Sequence, residues 1–112
     1  MIKYPVPVTE SLLQEITNRI VATFDPEKVV LFGSQAIGTS DADSDVDLLV
    51  IMEAEGSSIQ RAVAVKRSCR PPFVAMDVLV KTPDEVAAQL QRGNFFLRQI
   101  LAEGRVLYER DA

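Results

Sequence analysis

Residues 29–51 read VVLFGSQAIGTSDADSDVDLLVI, in which two apolar runs flank a small-residue turn and a polar loop. Apolar runs of this length predict β-strands, here over residues 28–32 and 45–52. The first run has no polar residue after Lys28, so its strand is expected near the centre of a sheet with both faces covered. The stretch therefore predicts a strand, a loop that includes a short helical turn, and a second strand.

Four residues of this stretch are suited to chemistry. Asp45 and Asp47 stand two positions apart, so both carboxylates point to the same face of the second strand. Gly33 and Ser34 form a turn whose backbone N–H groups and hydroxyl can cradle phosphate. A phosphate cradle beside paired carboxylates indicates metal-assisted chemistry on a nucleotide.

The rest of the chain alternates helical patterns with two further apolar runs. Thr9, Ser57 or Ser58, Thr82 and Asn94 are predicted helix N-caps, and Thr82 has Glu85 three residues later, as in a capping box. Gly93 and Gly104 are predicted to end the last two helices. The fold class is therefore α/β, a small mixed sheet of about four strands flanked by helices. Besides the elements above, the predicted helices cover residues 10–23, 58–69, 83–92 and 95–103, and the predicted strands cover residues 73–81 and 105–109.

Composition limits the classes of function. The chain has 112 residues, 47% of them hydrophobic, which suits one domain over residues 1–112 with an N-terminal arm over residues 1–8. The net charge of −4 argues against direct nucleic-acid binding. One cysteine allows no internal disulfide, and no apolar run is long enough to span a membrane. We expect a cytoplasmic protein.

The chain contains no histidine, which excludes a Ser-His-Asp triad and histidine-ligated zinc. Chemistry must then depend on carboxylates, hydroxyls, cationic side chains and bound metal. Asp77 lies inside the apolar run VAMDVLV, where an ionisable side chain is costly unless it is paired or metal-bound. If Asp77 lies beside Asp45 and Asp47, the three carboxylates repel one another, and two Mg²⁺ ions would relieve that repulsion.

The Gly-Ser pair, the ten-residue gap, the Asp-x-Asp motif and the later strand aspartate resemble the nucleotidyltransferase fold of the polymerase β superfamily. The small size is similar to the minimal nucleotidyltransferase (MNT) branch, the antitoxin half of HEPN–MNT toxin–antitoxin pairs. The resemblance covers roughly residues 10–109, and the ending AEGRVLYE is also similar to the family's usual close.

The resemblance implies a role for each matching residue. Gly33 would let the backbone approach the triphosphate, and Ser34 would hydrogen-bond its terminal phosphates. Asp45 and Asp47 would hold two Mg²⁺ ions, and Asp77 would complete the catalytic metal site and help the attacking hydroxyl lose its proton. The implied activity is transfer of AMP from ATP to a protein hydroxyl, with a tyrosine of a HEPN ribonuclease toxin as acceptor. The implied partner is that toxin, which modification would silence.

The motif departs from the family pattern at one position. Many members have arginine in the string Gly-Ser-x-Ala-Arg-Gly, where this chain has Ile37. Two alternatives therefore stay open: an antitoxin of weak or absent catalysis that neutralises its partner by binding alone, and a nucleotidyltransferase that acts on a small molecule. The sequence shows no second domain to grip a substrate, so we expect a partner to present the acceptor.

Two further clusters have two interpretations each. Arg61, Lys66, Arg67 and Arg70 make the helix over residues 58–69 basic, either as a solvated face or as a patch that meets phosphates or an acidic partner. The aromatic and apolar residues that begin the last helix are expected in the core rather than at an interface. These residues are Phe95, Phe96 and Leu97.

Overall fold

The computed structural model describes residues 7–37 and 45–111, apart from the side chains of Ser34 and Ile37. Most of the predicted N-terminal arm and the loop over residues 38–44 lie outside the described residues. Within the described part, the predicted order of helices and strands is confirmed, and no helix there is long and apolar enough to cross a membrane. The elements are α1 (Glu10–Phe24), β1 (Lys28–Phe32), α2 (Ser34–Ile37), β2 (Val46–Ile51), α3 (Ser58–Cys69), β3 (Met76–Lys81), α4 (Pro83–Gln91), α5 (Phe95–Glu103) and β4 (Arg105–Glu109).

The four strands form one sheet in the order β3-β2-β1-β4. Strand β1 is antiparallel to both β2 and β4, whereas β2 and β3 are parallel. A parallel pair needs a long crossover connection, and α3 supplies it between β2 and β3. The fold is thus the mixed α/β sheet that the sequence predicted.

Local capping chemistry fixes where the helices begin. The Thr9 hydroxyl accepts a hydrogen bond from the backbone N–H of Leu12, and the Asn94 side chain caps α5 in the same way. At Thr82 the capping box is complete, because Glu85 accepts the Thr82 backbone N–H while Thr82 accepts that of Glu85. These bonds satisfy backbone groups that helix ends leave without partners.

One face of the sheet, which we call the packed face, lies under α1 and α3. Apolar side chains from both helices and from strands β1, β2 and β3 form a continuous buried core there. Alternate residues of β2 point into it, as the sequence predicted. The β2 residues on this face are Val46, Leu48 and Val50.

The opposite face, which we call the site face, lies under α4 and α5. Its buried core is smaller and joins Val30 of β1 and Leu49 and Ile51 of β2 to Leu97 and Ile100 of α5. Asp47 is in phase with Leu49 and Ile51, so it belongs to this face. At the end of the sheet where Asp47 lies, its register partner Phe32 is only partly buried and packs at the margin of this second core.

The apolar pattern predicted that the third strand begins at residue 73, but β3 begins at Met76. Phe73 has a left-handed backbone with φ of +65°. The Val74 N–H donates to the carbonyl of Pro71 in a turn, 3.4 Å away. The chain therefore turns before it enters the sheet. The extended-structure propensity of residues 73–75 does not determine where β3 begins.

Candidate active site at one end of the sheet

The sheet register brings the predicted acidic residues to one end of the site face. Asp47 of β2 pairs with Phe32, the last residue of β1, on one side. On the other side Asp47 pairs with Asp77 of β3 in parallel register. Asp45 immediately precedes β2 and is exposed. Two carboxylates on neighbouring strands and a third two residues away therefore converge where β1 ends and β2 and β3 begin.

Gly33 leaves β1 in a conformation that only glycine adopts without strain, with φ of +74°. A Cβ atom at this position would lie 2.6 Å from Oδ2 of Asp47. The glycine thus leaves room for the carboxylate to stand against the turn backbone. The next residue, Ser34, begins α2, which confirms the helical turn expected there.

The carboxyl of Asp47 is in an unfavourable environment for a negative charge. Partial burial raises its pKa above the ordinary value, and the negative charges of Asp77 and Asp45 raise it further. Nothing in this pattern strengthens the fold, because each cause disfavours the ionised form. A cation at this end of the sheet would offset both causes.

Asp77 is accessible to solvent, with 70% of its side chain exposed. Its Oδ1 lies 3.6 Å from Nζ of Lys66 on α3, at the long end of ion-pair distances. Lys66 was noted in the sequence only as part of a basic helix. Its contact with Asp77 depends on how α3 packs beside β3, which the sequence alone did not reveal.

The donor set fits Mg²⁺ in its chemistry, because all three side chains offer carboxylate oxygens, the ligands this ion prefers. Their mutual repulsion at Asp47 is the condition that a divalent cation relieves. Within residues 7–37 and 45–111, however, no three acidic, cysteine or histidine side chains surround a common point closely enough to hold a metal ion. Oδ1 of Asp77 instead lies 3.6 Å from the ammonium group of Lys66.

A mainly apolar cleft of about 280 Å³ adjoins the glycine turn. The end of β1, Gly33 and Ala36 form one wall, and α5 forms the other. Phe96, on the α5 wall, is 56% exposed and Phe95 is 81% exposed, so the expectation that both belong to the core is wrong. Only Leu97 of the three is buried. Helical periodicity could have shown the exposure of Phe95, since Phe95 is out of phase with the buried pair Leu97 and Ile100.

The basic helix α3 is not an open cationic surface. Arg61 is only 9% exposed and donates to Glu85 of α4 at 2.7 Å and to the carbonyl of Glu55 at 3.3 Å. Arg70 donates to the carbonyl of Val74, and Lys66 faces Asp77. These cations tie α3 to neighbouring segments, so the interpretation of this set as a phosphate-binding patch is wrong for Arg61.

The chain is similar to known proteins in its sequence pattern and in its fold. A family model described as polymerase beta, nucleotidyltransferase, matches residues 14–112. A solved protein from Sulfolobus solfataricus, assigned by inference to the nucleotidyltransferases, superposes with a TM-score of 0.62 and 23% identity. That alignment covers 89% of this chain and 79% of the other.

A second solved structure, a toxin–antitoxin with AMP-PNP, superposes with a TM-score of 0.51 and 19% identity over 88% of this chain and 74% of the other. No curated protein matches the sequence. At these identities the two structures support the fold, while the family model covers most of the chain. The protein belongs to the polymerase β nucleotidyltransferase family.

Proposed function

We propose that the protein is a Mg²⁺-dependent nucleotidyltransferase that moves AMP from ATP to a hydroxyl of a partner protein, and that this transfer makes it an antitoxin. The observation that carries the proposal is the register of Asp47 against Asp77, with Asp45 beside them and Gly33 packed against Asp47. This arrangement supplies carboxylate ligands next to a turn that can approach phosphate.

Each residue has a definite part in the proposed reaction. Gly33 admits the triphosphate to the turn backbone, and Ser34 hydrogen-bonds the terminal phosphates. Asp45 and Asp47 are the residues that would hold two Mg²⁺ ions, with Asp77 as a further ligand of one of them. When bound, Mg²⁺ neutralises the charge that develops on the phosphates.

The bond changes balance without a protein nucleophile. The acceptor hydroxyl oxygen forms a bond to the α-phosphorus, and the bond from that phosphorus to the bridging oxygen of the β-phosphate breaks. Pyrophosphate leaves, and the carboxylate of Asp77 accepts the hydroxyl proton. Catalysis then depends on positioning and charge neutralisation, as is usual for phosphoryl transfer.

Two observations support a protein as the acceptor. Asp45 and Asp77 are exposed, so a large substrate can reach them without the opening of any described element. The solved toxin–antitoxin structure has the same fold, which supports a toxin as the partner. The HEPN type of that toxin and a tyrosine acceptor follow from the family resemblance and are part of the proposal.

A test uses ATP labelled on either the α- or the γ-phosphate, with Mg²⁺ and the protein encoded in the neighbouring reading frame. The proposal predicts that α-label appears on the partner and that γ-label leaves with pyrophosphate. An Asp45→Asn/Asp47→Asn variant should transfer neither label. Transfer of γ-label would indicate a kinase, and transfer of neither by the unchanged protein would refute the proposal.

The contact between Lys66 and Asp77 favours a second candidate function, an antitoxin that acts by binding alone. Asp77, one of the predicted metal ligands, is already paired with Lys66. Ile37 also stands where many members of the resembling family have arginine. This alternative predicts that Asp77→Asn leaves toxin neutralisation unchanged. The nucleotidyltransferase proposal predicts that the same variant no longer neutralises the toxin by modification.

A further inference from the structure

The cleft between the end of β1 and α5 shares a residue with the proposed phosphate turn. Gly33 lines the cleft and also packs against the carboxylate of Asp47. A nucleotide with its phosphates on this turn would therefore have one end of the cleft within reach of its ribose and base. This continuity supports an occupant that is attached to the phosphates.

Two aromatic residues, Phe32 and Phe96, line the cleft. The rings of Phe32 and Phe96 meet edge to face, with centroids 5.9 Å apart and an interplanar angle of 82°. Phe96 remains 56% exposed beside this contact. Phe95, although more exposed, does not line the cleft. The orientation of Phe96 thus presents aromatic surface to the cleft.

The polar residues of the cleft, Gln99 and Glu103, favour a ligand with amino groups over a phosphate. Gln99 and Glu103 are exposed on α5, one helical turn apart, and the Gln99 amide lies 3.4 Å from Oε2 of Glu103. A carboxylate disfavours a phosphate in the cleft and accepts hydrogen bonds from amino groups. The lining is otherwise mostly apolar, as a nucleobase requires.

We propose that this cleft holds the purine base of the nucleotide, stacked on Phe96 with its exocyclic amino group donating to Glu103. The inference rests on the proposed function and extends it, because it assigns nucleotide preference to residues of α5. Bases without an amino group, such as uracil, lose the hydrogen bond to Glu103. A bare polyphosphate makes none of these contacts.

The test measures dissociation constants for Mg²⁺·AMP-PNP and for inorganic tripolyphosphate by calorimetry. Phe96→Ala should weaken AMP-PNP binding about tenfold, as expected for loss of one aromatic–base stack. Binding of tripolyphosphate should not change. Phe96→Leu keeps apolar volume against Phe32 and should also weaken AMP-PNP binding. Phe95→Ala is the matched control and should leave both constants unchanged.

A second arm compares AMP-PNP with the corresponding uridine analogue. The intact protein should prefer the adenine compound, and Glu103→Ala should reduce that preference severalfold. Unchanged AMP-PNP affinity in both Phe96 variants, or equal losses for AMP-PNP and tripolyphosphate, would overturn the inference. If the Phe96 variants bind the partner protein more weakly but bind AMP-PNP as well as the intact protein does, the inference is overturned and the cleft is assigned to protein docking.

The failures of the two proposals are distinguishable. If the intact protein binds AMP-PNP in a Phe96-dependent way but transfers no α-label, the base site stands and the proposed transfer fails. If the intact protein binds neither AMP-PNP nor tripolyphosphate, the proposed function fails and this inference fails with it.

Discussion

The two faces of the sheet use the same strands for different purposes. On the packed face, β2 contributes Val46, Leu48 and Val50 to a core closed by α1 and α3. On the site face, the same strand contributes Asp47 beyond the limit of a smaller core under α5. Because side chains alternate along a strand, one segment can supply both burial and exposed charge. Stability is concentrated on one face, and the other face can accept unfavourable groups.

Two glycines show the same contrast. At Gly104, a Cβ atom would lie 2.4 Å from the carbonyl oxygen of Ile100 and 2.5 Å from Cγ1 of Val30, in the packed junction of α5 and the sheet. At Gly33, a Cβ atom would meet only the carboxylate of Asp47, the end of a side chain that can rotate. The first glycine is required by packing, and the second by its positive φ and by the position of a candidate ligand.

The largest expected effect is on activity. The Asp45→Asn/Asp47→Asn variant removes two proposed metal ligands, and label transfer from ATP should fall by about a thousandfold, or roughly 4 kcal/mol of transition-state stabilisation. Circular dichroism and thermal unfolding should show a folded protein, because neither side chain belongs to a core. Loss of the fold in this variant would contradict the separation of the two faces.

The matched change on the packed face should affect stability instead. Leu48 directly follows Asp47, points to the core side of β2 and is fully buried. Leu48→Ala should lower the free energy of unfolding by about 2–5 kcal/mol, because it leaves a cavity under α1 and α3. Urea denaturation measures the loss. A loss well below that range would show that the packed face is not the main source of stability.

Substitution of the two glycines should have smaller effects, mainly on stability at Gly104 and on activity at Gly33. Gly104→Ala forces backbone and core atoms apart and should destabilise the fold by about 1–3 kcal/mol. Gly33→Ala adds strain from its positive φ, about 1 kcal/mol, and also displaces the carboxylate of Asp47. Of the two, Gly33→Ala should therefore cost more transfer activity relative to its loss of stability. The reverse order in activity assays on folded protein would refute this contrast.

Much of the fold could be predicted because its signals are local. The caps at Thr82 and Asn94 fixed two helices, and the apolar runs fixed β1 and β2. The pairing of Asp47 with Asp77 was only conditional in the sequence, since strand order is a property of the whole chain. The start of β3 was placed three residues early because the turn at Phe73 overrides its propensity.

The parts of the site that could not be predicted are contacts between distant segments. The ion pair of Lys66 with Asp77 and that of Arg61 with Glu85 depend on how α3 packs against β3 and α4. The sequence showed only a basic helix. Helical phase did not predict the exposure of Phe96, because Phe96 lies one turn before the buried Ile100 on the same side of α5.

The smallest expected effect concerns Lys66. Lys66→Met removes a cation that competes with Mg²⁺ for Asp77, so the Mg²⁺ concentration for half-maximal activity should fall a few-fold. Stability should change by less than about 1 kcal/mol, since the pair is exposed. Lys28→Met is the control, because Lys28 pairs with Glu109 at 3.0 Å on other strands. An equal response in both variants would exclude a specific role for Lys66.

We infer that Asp47 is kept for a cation at a cost to the fold. Its pKa is raised, so the folded state binds the proton more tightly than the unfolded state does. Stability contributed by this group is therefore lost as pH rises from the ordinary carboxyl pKa through the raised one. Without ligand at neutral pH, Asp47→Asn should have the higher Tm, by an amount worth less than about 1 kcal/mol.

The most direct measurement is the Tm of the intact protein and of Asp47→Asn, without ligand and with saturating Mg²⁺ and AMP-PNP. Ligand at a hundred times its Kd should stabilise the intact protein by about 2.7 kcal/mol and the variant far less. We predict that the order of the two Tm values reverses on ligand addition. Equal shifts in both proteins, or a variant less stable than the intact protein without ligand, would contradict this role of Asp47.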